Sequence, residues 1–242
     1  MAAATCRLVT LDVTGTCIKV NGSVGSHYVR HVYRHTGVKL DEKTVEKEFR
    51  LQFKEMDRDY PNFGCYSASM NCKMWWDTVV EKTLRGSGYV DNTNNMVNIC
   101  HSLYTDFSTK QCWSIYDDLW PFIKRIKNSS KTVKLGAISN FDERLETILE
   151  GLGLREFFDF VLVSYNERTH KPHPRLFYKA LDISKASELE AWHIGNDYVR
   201  DYQAATSAGL NAVLLLREGE VKEGPNNVAR TLETALDFLN IP

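Results

Sequence analysis

From Val133 onward, short apolar runs alternate with stretches of helical period, and that alternation restricts the fold more than any other feature of the chain. Val133–Ile138, Phe160–Ser164, Ala191–Ile194 and Asn211–Leu216 are nearly unbroken in apolar, often β-branched residues. Strands buried on both faces of a parallel sheet have this pattern. Between and after them, Asp142–Glu150, Pro174–Leu181, Val199–Ala208 and Val228–Leu239 read as helices, with Gly151 and Gly209 as stop signals. Parallel neighbours need a crossover, usually a helix. The expected class is therefore α/β: a Rossmann-like parallel sheet with helices on both faces. Arg7–Leu11 joins that sheet as the first strand and ends at Asp12.

After this first strand the alternation stops. Val24–His35, Lys43–Asp57, Asn71–Arg85 and Asn94–Phe107 all have helical periodicity, and Arg58–Gly64 breaks it with Pro61 and Gly64. The reading is a core of residues 1–18 and 113–242 with an inserted α-helical domain of residues 19–112. A chain of 242 residues suits a core with a smaller insert. A net charge of -1 gives no electrostatic case for nucleic acid or an anionic membrane. No segment approaches the ~20 apolar residues of a membrane span, and Met1–Arg7 lacks the longer apolar run and cleavage site expected of a secretory leader. The expected place is cytoplasmic, with the nucleus open. Monomer and homodimer both remain open. Six cysteines without a CxxC pair argue for reduced core thiols rather than zinc or disulfides. The sequons Asn21-Gly22-Ser23 and Asn128-Ser129-Ser130 are then chance matches.

Ligands of open parallel sheets bind beyond the carboxyl ends of the strands, and four strand ends here carry polar residues suited to phosphoryl chemistry. In Asp12-Val13-Thr14-Gly15-Thr16, a carboxylate at a buried strand tip can attack phosphorus. Gly15 permits a tight turn with amides offered to an anion. In Ser139-Asn140, the hydroxyl can donate to a phosphoryl oxygen. Lys171 supplies the cation that a carboxylate and a phosphate need if they are to meet. In Gly195-Asn196-Asp197-Tyr198-Val199-Arg200-Asp201, side-chain oxygens suit Mg²⁺, which takes few carboxylates and keeps waters.

In this order, and each at an expected strand end, the four segments resemble the motifs of the haloacid dehalogenase-like superfamily. The likeness covers nearly the whole chain. It extends into the insert through Asp59–Gly64 and Trp75-Trp76, and into the core through Ser139–Asp142 and Gly151–Arg155. The resemblance implies a hydrolase with Asp12 as nucleophile and a helical cap that closes over the site and selects substrates. It also implies Mg²⁺ as cofactor, on Asp12, the Thr14 carbonyl, and Asn196 or Asp197. Catalytic positions are then Asp12, Thr14, Ser139 and Lys171; Gly15 and Asn140 would touch a small phosphorylated metabolite, and Asp201 would orient the metal ligands or Lys171.

Two positions depart from the superfamily pattern. Thr14 stands where its phosphatases carry a second Asp, the general acid and base, a role worth about 10² to 10⁴-fold. The superfamily's P-type ATPases also have Thr there and form a persistent phosphoenzyme. Asn196 stands where a metal-binding Asp is usual. Slow hydrolysis, a long-lived phosphoenzyme and lost activity are all compatible with these changes. The alternative function is a catalytically degraded protein that binds a phosphorylated ligand or a protein partner. A dehalogenase, which needs no metal, is disfavoured by Asp197 and Asp201, and a nicotinamide enzyme by the lack of GxGxxG after the first strand.

Each residue also has a plainer reading. Asp12 can cap a turn and Ser139-Asn140 a helix, while Lys171, Asn196, Asp197 and Asp201 can be solvated loop residues. His27, His31 and His35 share a helical face and suit either a surface or a transition metal. Trp75-Trp76 and Tyr60–Phe63 suit either a pocket or a core.

Overall fold

The first strand, β1 (Leu8–Leu11), is buried along its whole length, which requires sheet neighbours on both edges and side-chain layers on both faces. In the computed structural model, which describes residues 4–90, 95–129, 133–220, 224–239 and 241, β1 has both neighbours. β2 (Ile18–Val20) and β3 (Trp113–Ile115) form a separate two-stranded sheet. β4 (Lys134–Ser139), β5 (Phe160–Val163), β6 (Ala191–Gly195), β7 (Asn211–Leu215) and β8 (Val228–Ala229) complete a six-stranded parallel sheet in the order β5-β4-β1-β6-β7-β8. β1 thus lies between β4 and β6, with Leu11 in register with Ala137 and Ile194. The strand order reverses beside β1, and at such a switch point the carboxyl ends of the strands open a crevice.

The chain divides into two compact units. One comprises Met1–Lys19, Ile115–Asn140 and Leu152–Pro242; the other comprises Val20–Ser114 and Phe141–Gly151. The first unit holds the sheet and its flanking helices. Leu176, Phe177, Ala180 and Leu181 are buried in one core with Leu8, Ile138, Phe160 and Leu162.

The second unit is helical: α1 (Val24–Thr36), α2 (Glu42–Asp59), α3 (Cys72–Gly86) and α4 (Met96–Phe107). Caps set three of the starts: Ser23, Asp41 and Asn71 accept from the amides of Ser26, Thr44 and Met74. Tyr28, Val32, Val45, Leu84, Ile99 and Leu103 fill its core. Trp75 is fully buried against Phe53 and Phe63, so it packs as core. The histidine face is also engaged internally. His31 sits between Ser102 Oγ (2.8 Å) and Asp106 Oδ2 (2.9 Å), His35 meets Ser102 Oγ at 3.0 Å, and His27 meets the Asn21 carbonyl at 2.8 Å.

Several boundaries differ from those read from periodicity. α5 (Leu119–Asn128), unexpected from the pattern, precedes β4. Asp142–Glu150 is helical only from α6 (Leu145–Gly151). The Asp142 carboxylate instead accepts from the amide and guanidinium of Arg144. After α7 (Ser164–Glu167) and α8 (Arg175–Ser184), the expected helix Val199–Ala208 is a π-helical turn, Tyr198–Gln203, running into α9 (Ala204–Ser207). Val228–Leu239 is not one helix. Val228 and Ala229 pair with Leu214 and Leu215 as β8, and Thr231 caps the short α10 (Leu232–Ala235). Pairing with an available strand edge has overridden helical period there. Met1, Asn94 and Ser130, which figured in the sequence reading, lie outside the described residues. No helix among the described residues is long and apolar enough to cross a membrane.

Phe141–Gly151 follows a sheet strand yet belongs to the helical unit, and one buried ion pair shows why. Asp142 accepts from Arg144 Nη2 (2.6 Å) and from Trp76 Nε1 (2.8 Å), while the guanidinium lies over the rings of Trp76 and Tyr104. Breaking a buried pair from one side strands the other charge, at about 3–5 kcal/mol. Asp142→Ala should therefore lower unfolding stability by about that amount. Asp182→Ala, at the exposed pair with Lys185, should leave the urea midpoint unchanged.

Candidate active site

β1 delivers Asp12 to the end of the sheet, where its amide donates to the Ile194 carbonyl at 2.9 Å. The chain then turns at once. Val13 O accepts from the amides of Thr16, Cys17 and Ile18, and Gly15 donates to Ile18 O at 2.7 Å. Gly15 has φ +86, and a Cβ there would lie 2.6 Å from Asn196 Nδ2. Only glycine permits both the left-handed backbone and that approach.

The centre of the site is Lys171, which is fully buried. Its Nζ donates to Asp12 Oδ1 at 2.8 Å, Asp201 Oδ1 at 2.6 Å and Ile138 O at 2.7 Å. All three ammonium protons are thereby used. Asn140 places the lysine backbone: its Nδ2 donates to Lys171 O and its Oδ1 accepts from Lys171 N, both at 2.8 Å. The Asn140 amide, expected on substrate, is thus committed to Lys171. Ser139, at the end of β4, is buried, and its Oγ has no hydrogen-bond partner among the described residues. An unpaired buried hydroxyl costs about 1–3 kcal/mol, so such a group calls for an explanation.

Asp201 is buried on the π-helical turn, a feature frequent at functional sites. Besides Lys171 it meets His193 Nε2 at 3.2 Å and accepts from the Asp197 amide at 2.9 Å. Asn196 and Asp197 separate in role. Asn196 Oδ1 accepts from Thr16 Oγ1 at 3.3 Å, the same hydroxyl that lies 3.4 Å from Asp12 Oδ2. Asp197 Oδ1 caps the following turn, accepting from the amides of Val199 and Arg200. Thr14 is exposed and joins Ile18 in an isolated bridge. Among the described residues no three His, Cys, Asp or Glu side chains are grouped so that they could hold a metal ion. The oxygens that come together are those of Asp12 and Asn196, around Thr16.

Three contributors escape a reading of motifs. Thr16 was visible only as a neighbour of Asp12. His193 looks like an ordinary residue of a buried strand. Arg217, just after β7, stacks on Tyr116 at 3.7 Å, pairs with both oxygens of Asp118 and donates to Thr16 O at 2.8 Å, which ties down the Asp12 turn. Only the tertiary fold brings these residues together.

The charges are unequal. Burial pushes Asp12 up to about 6; Lys171 pulls it back, and the negative Asp201 adds to the rise. Burial also opposes the charge on Asp201, but Lys171 and His193 hold it well below the usual carboxylate range. Lys171 stays protonated: burial disfavours its charge, and the two carboxylates more than compensate. Two carboxylates around one ammonium leave a net negative charge in a dry place, and Asp12 is the group that takes a proton first. The site can thus present a desolvated, reactive carboxylate with a fixed cation on it.

A family model described as haloacid dehalogenase-like hydrolase matches residues 6–209. The chain is 37% identical over 209 residues to the mouse "Haloacid dehalogenase-like hydrolase domain-containing protein 3", covering 86% of this chain and 81% of that one. Among solved structures, the putative HAD-hydrolase YfnB from Bacillus subtilis, bound to magnesium, superposes with a TM-score of 0.75 at 18% identity, covering 98% of this chain and 100% of the other. A dehalogenase with an intermediate complex superposes at 0.72 and 17% identity, covering 99% of each chain.

The raised Asp12 carries a stability consequence. A carboxyl whose folded pKa is raised adds stability that is present below its unfolded pKa and lost as pH rises through the folded one. As pH rises from 3.8 through about 6, Asp12 therefore takes stability from the fold, and above that range the full loss is roughly 3 kcal/mol at about 1.4 kcal/mol per unit. Asp12→Asn should be more stable than wild type by about 1–3 kcal/mol at pH 7.5, with the gap closing below pH 4. Denaturant unfolding across that range checks both parts.

Proposed function

The chain belongs to the haloacid dehalogenase-like hydrolases, and from that premise we propose that it is a Mg²⁺-dependent phosphohydrolase of a small phosphorylated metabolite, with Asp12 as nucleophile. The observation that carries this reading is the buried Lys171 ammonium on Asp12 Oδ1, with the unpartnered Ser139 hydroxyl one residue beyond its Ile138 ligand. An anion with several acceptor oxygens could accept from the Ser139 hydroxyl while the Lys171 charge, its protons held by Asp12, Asp201 and Ile138 O, attracts it electrostatically, and a phosphoryl group is such an anion.

In this reading the Asp12 carboxylate attacks phosphorus and the bond to the ester oxygen breaks, leaving an aspartyl-phosphate. Lys171 keeps its proton throughout and neutralises charge on the carboxylate and the phosphoryl group. Ser139 donates to a phosphoryl oxygen. The leaving oxygen takes its proton from water, because Thr14 offers no carboxylic acid. A second water then attacks phosphorus and frees Asp12. For the same reason Thr14 cannot deprotonate that water, so this step is the slow one.

The residues fit Mg²⁺ by the chemistry of their donors. Asp12, the Thr14 carbonyl and Asn196 are all oxygen ligands, with Asp197 held back by its capping bonds. When bound, the ion would add positive charge where the phosphate sits. The neutral Asn196 in place of a carboxylate argues for modest affinity.

Residue 14 gives the discriminating experiment. With p-nitrophenyl phosphate and Mg²⁺, Thr14→Asp should raise turnover several-fold, short of about 10²-fold because Asn196 still weakens the metal site. Asp12→Asn should abolish turnover, and chelation with EDTA should do so reversibly. Turnover that survives Asp12→Asn would refute the nucleophile. If no ester is turned over by wild type or by Thr14→Asp, while phosphate still binds, the chain is a phosphate-ligand binder instead. Release of halide from a 2-haloacid without Mg²⁺ would make it a dehalogenase.

A further inference from the structure

We propose that His193 is a positioning residue, holding Asp201 and through it the Lys171 ammonium in the place that Asp12 requires. The geometry stands by itself, and only the role given to Asp12 rests on the phosphohydrolase reading.

His193 is fully buried in β6, with its ring edge-on to Phe177 at 5.0 Å. A space-filling ring in that position would leave its nitrogens dry, yet both are engaged. Nδ1 lies 2.9 Å from Thr10 Oγ1, its register partner on β1, and Nε2 lies 3.2 Å from Asp201 Oδ1. Burial keeps the imidazole neutral. An ionised carboxylate only accepts, so Nε2 carries the proton and Nδ1 accepts from the Thr10 hydroxyl, a tautomer assigned from the bonding pattern. A directed chain of donors results, Thr10 to His193 to Asp201, with the Trp192 carbonyl a longer alternative acceptor for the Thr10 hydroxyl at 3.3 Å.

Asp201 is otherwise placed by the Asp197 amide on Oδ2 and by close contact with Gly195, where a Cβ would lie 2.3 Å from Asp201 Cγ. Oδ1 is shared between His193 and Lys171. If the imidazole donor is removed, Lys171 alone must satisfy Oδ1. The ammonium would then be drawn toward Asp201 and away from Asp12. His193 thus divides one cation between two carboxylates.

The test uses the full chain with Mg²⁺, in wild type, His193→Leu, His193→Gln, Asp201→Asn and the His193→Leu/Asp201→Asn double variant. Gln can still present an N–H where Nε2 stands; Leu cannot. Two readouts are taken: the Lys171 ammonium signal in ¹⁵N-lysine NMR, assigned by its loss in Lys171→Met, and kcat and KM for p-nitrophenyl phosphate. His193→Leu should shift the Lys171 signal and lower kcat by about 10- to 100-fold, the range for outer partners of site residues, with KM within about 2-fold. His193→Gln should recover both. In the Asp201→Asn background, His193→Leu should add nothing. The proposal is overturned if the Lys171 signal is unchanged in a folded His193→Leu, if Leu and Gln lose equally, or if the losses add. If wild type has no turnover, the phosphohydrolase reading fails, and the NMR comparison still decides the role of His193.

Discussion

A lysine ammonium with no access to water must be bonded on every side, and Lys171 is. Its three partners come from the tip of β1, the end of strand β4 and the segment after β6. Those segments meet only because β1 lies between β4 and β6 in the sheet. The sheet order, the reciprocal Asn140 clasp and the close approach of Asp201 to Gly195 all serve one charge. Moving a cation from water to a dry interior costs several kcal/mol, and attraction to two carboxylates offsets that only at bonding distance. The arrangement therefore tolerates little displacement.

The same interaction sets the charge state of Asp12. One cation shared by two buried carboxylates cannot hold both as strongly charged. Asp201 has three donors and keeps its charge. Asp12 has Lys171, the Val13 amide and a long contact to Thr16, and burial still holds it at about 6. A carboxylate destabilised by burial is a better nucleophile than a solvated one. The fold accepts a local cost in stability where the proposed chemistry takes place, as functional sites commonly do.

Much of this was legible in the chain. Asp12 and Ser139 stand at ends of apolar runs, where a charged or hydroxyl residue has no packing reason to be; Lys171 lies in the polar segment after β5, and the structure places it on Asp12 and next to Ser139's neighbour. The parallel sheet was legible because strands buried on both faces leave an unbroken apolar signature. His193, Thr16 and Arg217 were not legible as site residues, since each acts through a partner distant in sequence: Asp201 through a turn, Asn196 across the sheet, Asp118 and Tyr116 across a loop. β8 was missed because two residues carry no periodicity, and their pairing depends on an edge that β7 supplies. The bonds of Asn140 to the Lys171 backbone and of Asp197 to the Val199 and Arg200 amides are products of the tertiary fold and leave no mark in the sequence.

The central claim is that Asp12 forms a covalent bond to phosphorus, and that Thr14 leaves this bond slow to break. Incubation with acetyl phosphate and Mg²⁺, followed by borohydride reduction and peptide mass spectrometry, reads this directly. An acyl phosphate is reduced to the alcohol, so the account predicts homoserine at position 12 in wild type, reduced in amount in Thr14→Asp and absent in Asp12→Asn. Reduction at another carboxylate, or at none while phosphate is released, would contradict it.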